Sequence, residues 1–329
     1  MIWMTWRQHR AATVGALLFL AACAAVLIPD GLSMRADLDA LGIGHCLGGS
    51  PTPGVDCVAL FQRAPFGTTN VVTPWLNVVP VLLGVLLGAP VIAREIESGT
   101  YRLVWVQGIT RTRWITVKLG GLALGVIMVS AAFAVMTTWW RQPVDSVDDS
   151  AGLNRFSSST FGIEGSVVVG YAVFAFFLGV LAGTLFRRTL PAMVAACLAF
   201  VVVLFGVQSF ARPHYLAPVS TLTAFPDRGD NAFTPDTTGT PGDWLMDWGY
   251  VDASGHRLTD TQIRDDMLTA SHGNVPMGTW LNQHGIRHLL VYQPVTRFWT
   301  FQWIETGLFL ALAAALAAAA IWHVQRRLP

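Results

Sequence analysis

The chain has 329 residues, of which 53% are hydrophobic and only 12% charged, and its formal net charge is +1. An ordinary soluble domain carries about 25% charged residues, so a soluble enzyme fits poorly, and the balanced charge leaves no electrostatic footprint for a nucleic-acid partner. What charge there is lies between long apolar windows.

Ahead of the first window, "MIWMTWRQHR" combines Trp3 and Trp6 with Arg7 and Arg10. That pattern predicts a short helix at residues 1–10 lying in the membrane interface, with its indoles at headgroup depth. Residues 11–29 form the first window. No small-residue cleavage site follows it, so it is expected as a retained span rather than a signal peptide. The other windows are 71–93, 119–140, 165–186, 189–211 and about 303–323. Each is about 20 residues long, enough to cross a hydrocarbon core of about 30 Å.

Between the first two spans, loop 30–70 holds Cys46 and Cys57. An oxidising outer face would favour a disulfide between them. Closing so short a loop stabilises by about 2–3 kcal/mol. His45 with the two cysteines is the metal-site alternative, and it lacks a fourth ligand. Cys23 and Cys197 lie inside spans and read as packing residues.

Span two contains Pro80 and Pro90, which predict bends. It leads into "REIESGTYRLVWVQGITRTRWITVK", residues 94–118. Glu95 and Glu97 stand there among Arg94, Arg102, Arg111 and Arg113. Ser98 and Thr100 suit caps, and Gly99 suits a sharp turn. A plain linker would not carry Tyr101, Leu103, Val104, Trp105 and Val106. Apolar bulk on such a loop predicts docking against a partner or the bilayer surface.

Loop 141–164 is short and polar. Arg187 and Arg188 alone separate spans four and five, which predicts a tight hairpin, with Pro191 in the first turn of the fifth helix. Residues 212–297 are long enough for a small folded domain. "DTQIRDDMLTASH" and "GTWLNQHG" read as helices and "RHLLVYQP" as a strand. His284 and His288 have the i, i+4 spacing of a helical metal site, weakened by Gly285. Trp299, Phe301 and Trp303 form an aromatic belt at the entry to span six. Glu305 lies just past it, and Glu164 lies at the corresponding end of span four. Acids at membrane boundaries are candidate functional residues, and Arg297 and Arg212 are the available partners.

Lys and Arg set the orientation. With the N-terminus inside, the cytoplasmic pieces hold eleven of them against two acids, Glu95 and Glu97. Both termini are therefore expected in the cytoplasm. The chain carries no phosphate-binding G-x-x-x-x-G-K-[ST] loop, no H-E-x-x-H and no G-x-S-x-G elbow. No catalytic residue and no metal site is nominated.

"EIESGTYRLVWVQGITRTRWITVK" and the closing "YQPVTRFWTFQWIETGLF" resemble ABC-2 type transporter permeases, the membrane subunits of ABC exporters, and their actinobacterial members in particular. The resemblance implies an all-α polytopic membrane protein with six transmembrane helices and cytoplasmic N- and C-termini. Residues 1–10 would be the interfacial helix. Residues 11–211 would hold helices one to five, 212–297 a small mixed extracellular segment, and 298–329 the sixth helix and tail. Such a subunit would sit in the bacterial plasma membrane among lipids, as a homodimer with a second permease chain. It would bind two cytosolic ATPase subunits, which would hold ATP and Mg in its stead. Glu95, Glu97, Gly99 and Thr100 would shape the ATPase-coupling helix, with Arg102 and Trp105 in the same docking segment. Arg111 and Arg113 would hold the inner end of span three, paired with those acids or with lipid phosphate. Trp75, Asn77, Tyr171, Phe174 and Gln208 are the candidate pathway residues, suited to an amphipathic or lipid-like substrate or drug. The length of 212–297 departs from simple members. It leaves an alternative open, a membrane sensor or anchor that binds a ligand through that segment.

Overall fold

The computed structural model describes residues 2–40, 67–98, 111–145, 154–225, 242–271 and 277–327. They fall into two compact units. One comprises Met1–Asp148, Arg155–Tyr215 and Trp299–Pro329, and the other Asp149–Asn154 and Leu216–Phe298.

The first unit is helical: α1 (Ile2–Ala40), α2 (Gly67–Leu76), α3 (Val78–Ser98), α4 (Arg111–Asp145), α5 (Val167–Phe186), α6 (Thr189–Gly206) and most of α9 (Phe298–Arg327). Among the described residues six segments are long and apolar enough to span a membrane: Val14–Ala40, Val71–Glu95, Ile115–Asp145, Val167–Phe186, Thr189–His214 and Val295–Arg326. Each overlaps one expected window, as an all-α polytopic membrane protein requires.

Two boundaries differ from expectation, and a third, in span two, follows the bend that Pro80 predicts. Residues 2–10 are not a separate helix but the start of α1. No glycine or proline separates Ile2 from Val14, and Ala11 and Ala12 favour helix. At its other end α1 runs through Asp30 to Ala40, where a loop was expected. Its charges there find partners on α4: Trp140 Nε1 donates to Asp30 Oδ2 at 2.8 Å, and Arg35 donates to Trp139 O at 2.6 Å while stacking on that indole at 4.1 Å. Span two breaks at Asn77, between α2 and α3. Pro80 has no N–H for the Leu76 carbonyl, and its ring crowds that carbonyl, so the helix stops three residues ahead of it. Pro90 lies inside α3 without interrupting it.

α5 and α3 form the centre of this unit. In their most apolar windows 78% and 61% of residues are buried, against 11% in α1 and 17% in α6. The two central helices touch backbone to backbone through reciprocal glycines four residues apart. A Cβ on Gly84 would lie 2.5 Å from Ala172 O, and one on Gly88 2.1 Å from Phe176 O. From the other side, a Cβ on Gly183 would lie 2.7 Å from Ala89 O. In lipid, where apolar burial between helices contributes little, such close van der Waals contact is what holds helices together.

The second unit is a four-stranded antiparallel sheet in the order β1 (Val219–Thr223), β4 (Arg287–Gln293), β2 (Trp244–Val251), β3 (Arg257–Leu258). It carries helices α7 (Asp260–Ser271) and α8 (Met277–Gln283). Both expected helices and the expected strand are present. Its core is Phe225, Tyr250, Ile263, Trp280, Leu281 and Ile286. The Asn282 amide closes it, donating to Phe225 O at 2.8 Å and accepting from Phe225 N at 3.0 Å. β1, β2 and β3 are additional to the one expected strand. A register shift between Leu245 and Asp247 breaks the alternation of β2 that would have marked it.

Candidate functional site

The last turn of α3 carries both acids of the 94–118 segment. Two residues apart on a helix is about 200° of rotation, so their side chains leave from opposite faces. Glu95 pairs with Lys118 on α4, and the Lys118 ammonium also donates to Val91 O at 3.1 Å. Glu97 reaches the start of α6. It accepts from Thr189 N at 3.0 Å and from the Thr189 hydroxyl at 3.0 Å. A carboxylate there satisfies an orphan N–H and faces the positive end of the helix dipole. One turn of α3 thus fastens two other spans.

The hairpin between α5 and α6 makes this possible. Arg187 takes a left-handed conformation, φ 55°, and its N–H caps Gly183 O at 3.1 Å. Arg188 is extended, and Thr189 begins α6 within reach of Glu97.

Among the described residues Lys118 and Thr189 are the partners of these acids, and the expected pairing of Arg111 and Arg113 with the acids or with lipid phosphate rests on side chains beyond them. Arg111 opens α4, and the side chains of Arg111 and Arg113 lie outside the described residues. So do Gly99, Thr100, Arg102 and Trp105, as well as Cys46 and Cys57. Sequence reasoning does not reach Lys118 and Thr189, though a signal exists for the first. Lys118 is the sole lysine of the chain, and a lysine 7% exposed needs an anion.

The opposite end of the unit holds the other two acids, both fully buried. Glu305 on α9 meets Arg212 in a two-pronged pair at 2.9 Å and 2.7 Å. Tyr171 on α5 also donates to it, as does Tyr215 at 3.2 Å. The Arg212 guanidinium carbon lies over the Phe161 ring, 3.9 Å from its centroid. A π-helical turn, Val207–Ala211, followed by a short 3-10 turn, Arg212–His214, turns this arginine inward. Pro213 removes the N–H that would continue the α-helix there. Glu164 pairs with Arg141 and Arg155, which share Asp145 at 3.2 Å each. Of the two partners expected for the acids, Arg212 takes Glu305. Arg297 instead donates to Ala217 O and Gln293.

Of the expected pathway residues, Asn77 and Tyr171 both lie against Gly162, and Phe174 shares the ring contacts of Tyr171. Trp75 is 75% exposed. Asn77 donates to Thr73 O and Ser159 O. Tyr171 and Phe174 are buried against Phe200 and Phe309, and Gln208 lies half-buried in the π turn. His284 and His288 do not share a helix face. Gly285, φ +68°, ends the turn between them. His284 stacks on Trp280, and His288 lies among Phe225, Trp248 and Tyr250. Among the described residues no group of three or more His, Cys, Asp or Glu is placed to hold a metal ion.

No curated protein and no solved structure matches the chain. The family described as ABC-2 membrane transporter related matches residues 17–212, more than half of the chain and the first five candidate spans. The match ends where the sheet and core of the second unit are about to begin. The chain therefore belongs to the ABC-2 membrane transporter related family.

Proposed function

We propose that the chain is the permease subunit of an ATP-driven exporter, paired with a second permease chain and driven by two separate cytosolic ATPase subunits. The observation that carries this reading is the last turn of α3. Glu95 and Glu97 tie the end of α3 to α4 and to the start of α6. A push on residues 99–110 would reach three spans at once. The excess of Lys and Arg at this end favours a cytoplasmic placement, where an ATPase could dock. The chain has no phosphate-binding loop, so the energy would come from another polypeptide. The cargo we infer is amphipathic or lipid-like, matched to a pathway lined by apolar helices.

Purification of the full chain from native membranes tests the proposal. An ATPase subunit should copurify, and ATP hydrolysis should require both. A second reading rests on the other unit, which has its own core and, from Leu216 on, lies beyond the family match: a membrane sensor or anchor that binds a ligand there. A chain that retains no ATPase, and changes no ATP hydrolysis when mixed with one, favours that reading.

A further inference from the structure

We propose that residues 155–166, between α4 and α5, are the exit gate of the transport pathway, a plug withdrawn when the ATPase drives the permease. The inference rests on the permease reading above. The segment looks like a polar loop, yet Phe156, Thr160, Phe161, Gly162, Ile163 and Glu164 are all fully or almost fully buried. Its backbone is irregular apart from one 3-10 turn, Phe161–Ile163. Irregular backbone buried among helices persists only where the protein satisfies its polar groups. Here the partners are side chains from separate helices. Asn77 donates to Ser159 O, Gln302 of α9 to Phe161 O at 3.2 Å, and Thr137 of α4 to Ile163 O. Arg212 covers the Phe161 ring, and Arg141 and Arg155 hold Glu164.

Side-chain fasteners of this kind let go by rotamer changes, one at a time, where a backbone ladder would have to break as a unit. They also connect the plug to the opposite end of the unit. Asn77 lies at the break where α3 begins, and Glu97 lies 20 residues further on, about 30 Å along the helix axis. α3 is thus a lever with the Glu97 link to α6 at one end and the Asn77–Ser159 bond at the other. Tilting it from the Glu97 end pulls on the plug.

Thiol accessibility tests this in the full chain, with the four native cysteines replaced by serine and the partner ATPase bound in lipid vesicles. Ser158→Cys, on the exposed edge of the segment, should react with a membrane-impermeant maleimide in every state. Thr160→Cys, nearly isosteric and buried, should be protected at rest and react at least about tenfold faster when ATP is hydrolysed, as expected when a buried site is reached through an opened state. Without nucleotide, adding Asn77→Leu or Gln302→Leu should raise its rate about fivefold, the effect of one lost hydrogen bond on the open population. Failure of the ATPase to bind or hydrolyse overturns the permease reading and leaves these nucleotide-free arms to judge the fastening. An unchanged Thr160→Cys rate while ATP is being hydrolysed overturns the gate. A rise in the release variants alone, with hydrolysis running and no effect of ATP, overturns it too and leaves a fixed cover.

Discussion

Glu305 sits on a membrane-spanning helix with no exposed surface, and its neighbours decide how such a charge is tolerated. Its carboxylate accepts from Arg212, Tyr171 and Tyr215. A buried pair of this kind adds little net stability over an apolar pair of the same shape, but removing one partner strands the other charge. Arg212→Met or Glu305→Leu alone should therefore cost about 3–5 kcal/mol. The double variant should recover more than half of that, short of the full amount because the two tyrosine hydroxyls lose their acceptor. Thermal unfolding of the full chain in detergent, arranged as a double-mutant cycle, gives both values. Single variants no less stable than the parent would show that the pair is dispensable. Arginine and glutamate are legible in the sequence as boundary residues needing partners. The choice of Arg212 over Arg297 is not, because it depends on the π turn at Val207–Ala211, which no local pattern signals.

The helices are legible as elements and far less so as contacts. Hydropathy alone marks the six windows, because lipid demands about 20 apolar residues of any helix that crosses it. Nothing local marks the extension of α1 to Ala40. Asp30, Arg35, Asp37 and Asp39 look like the start of a loop until α4 supplies Trp139 and Trp140. The 155–166 segment reads as a polar loop for the same reason, since the groups its backbone bonds to lie far off in sequence. The glycines of α3 and α5 give no warning either. Gly120 and Gly121 of α4 look alike in sequence, yet a Cβ on either would meet nothing within 4 Å. That contrast gives a test. Gly88→Leu drives a side chain into the Phe176 backbone and should cost at least about 3 kcal/mol, the upper end for overpacking. Gly120→Leu, facing open space, should be close to neutral. Equal melting temperatures for the two variants would remove the glycine contact as the core of the bundle. In the second unit, Asn282→Ala deletes both bonds to Phe225 and should cost about 2 kcal/mol, at about 1 kcal/mol per bond. Hydrogen exchange at the Phe225 amide in the full chain should speed up about thirtyfold if that cost is right, and an unchanged rate would show that the amide is held by other contacts.

Across the whole molecule, a family match over residues 17–212 covers most of the helical unit up to the Arg212 turn and the short Asp149–Asn154 piece of the second unit. The sheet and core of the second unit lie beyond it in sequence. The task shared across the family is therefore to be sought in the bundle, which holds nearly all of the match. Within the bundle, the polar links at the two ends of α3 enclose a glycine-packed middle. The central claim is that Glu97 couples an ATPase to α6. It is tested most directly by the ATPase activity of vesicles holding the full chain and its partner subunit, measured for the parent, Glu97→Gln and Glu97→Lys. Glu97→Gln keeps an acceptor for Thr189 N and an N–H for the Thr189 hydroxyl but loses the charge, which should weaken coupling several-fold, and placing a cation at the positive end of the α6 dipole in Glu97→Lys should cut it at least about tenfold, with assembly intact by size-exclusion. Parent-like activity in a fully assembled Glu97→Lys complex would contradict the account.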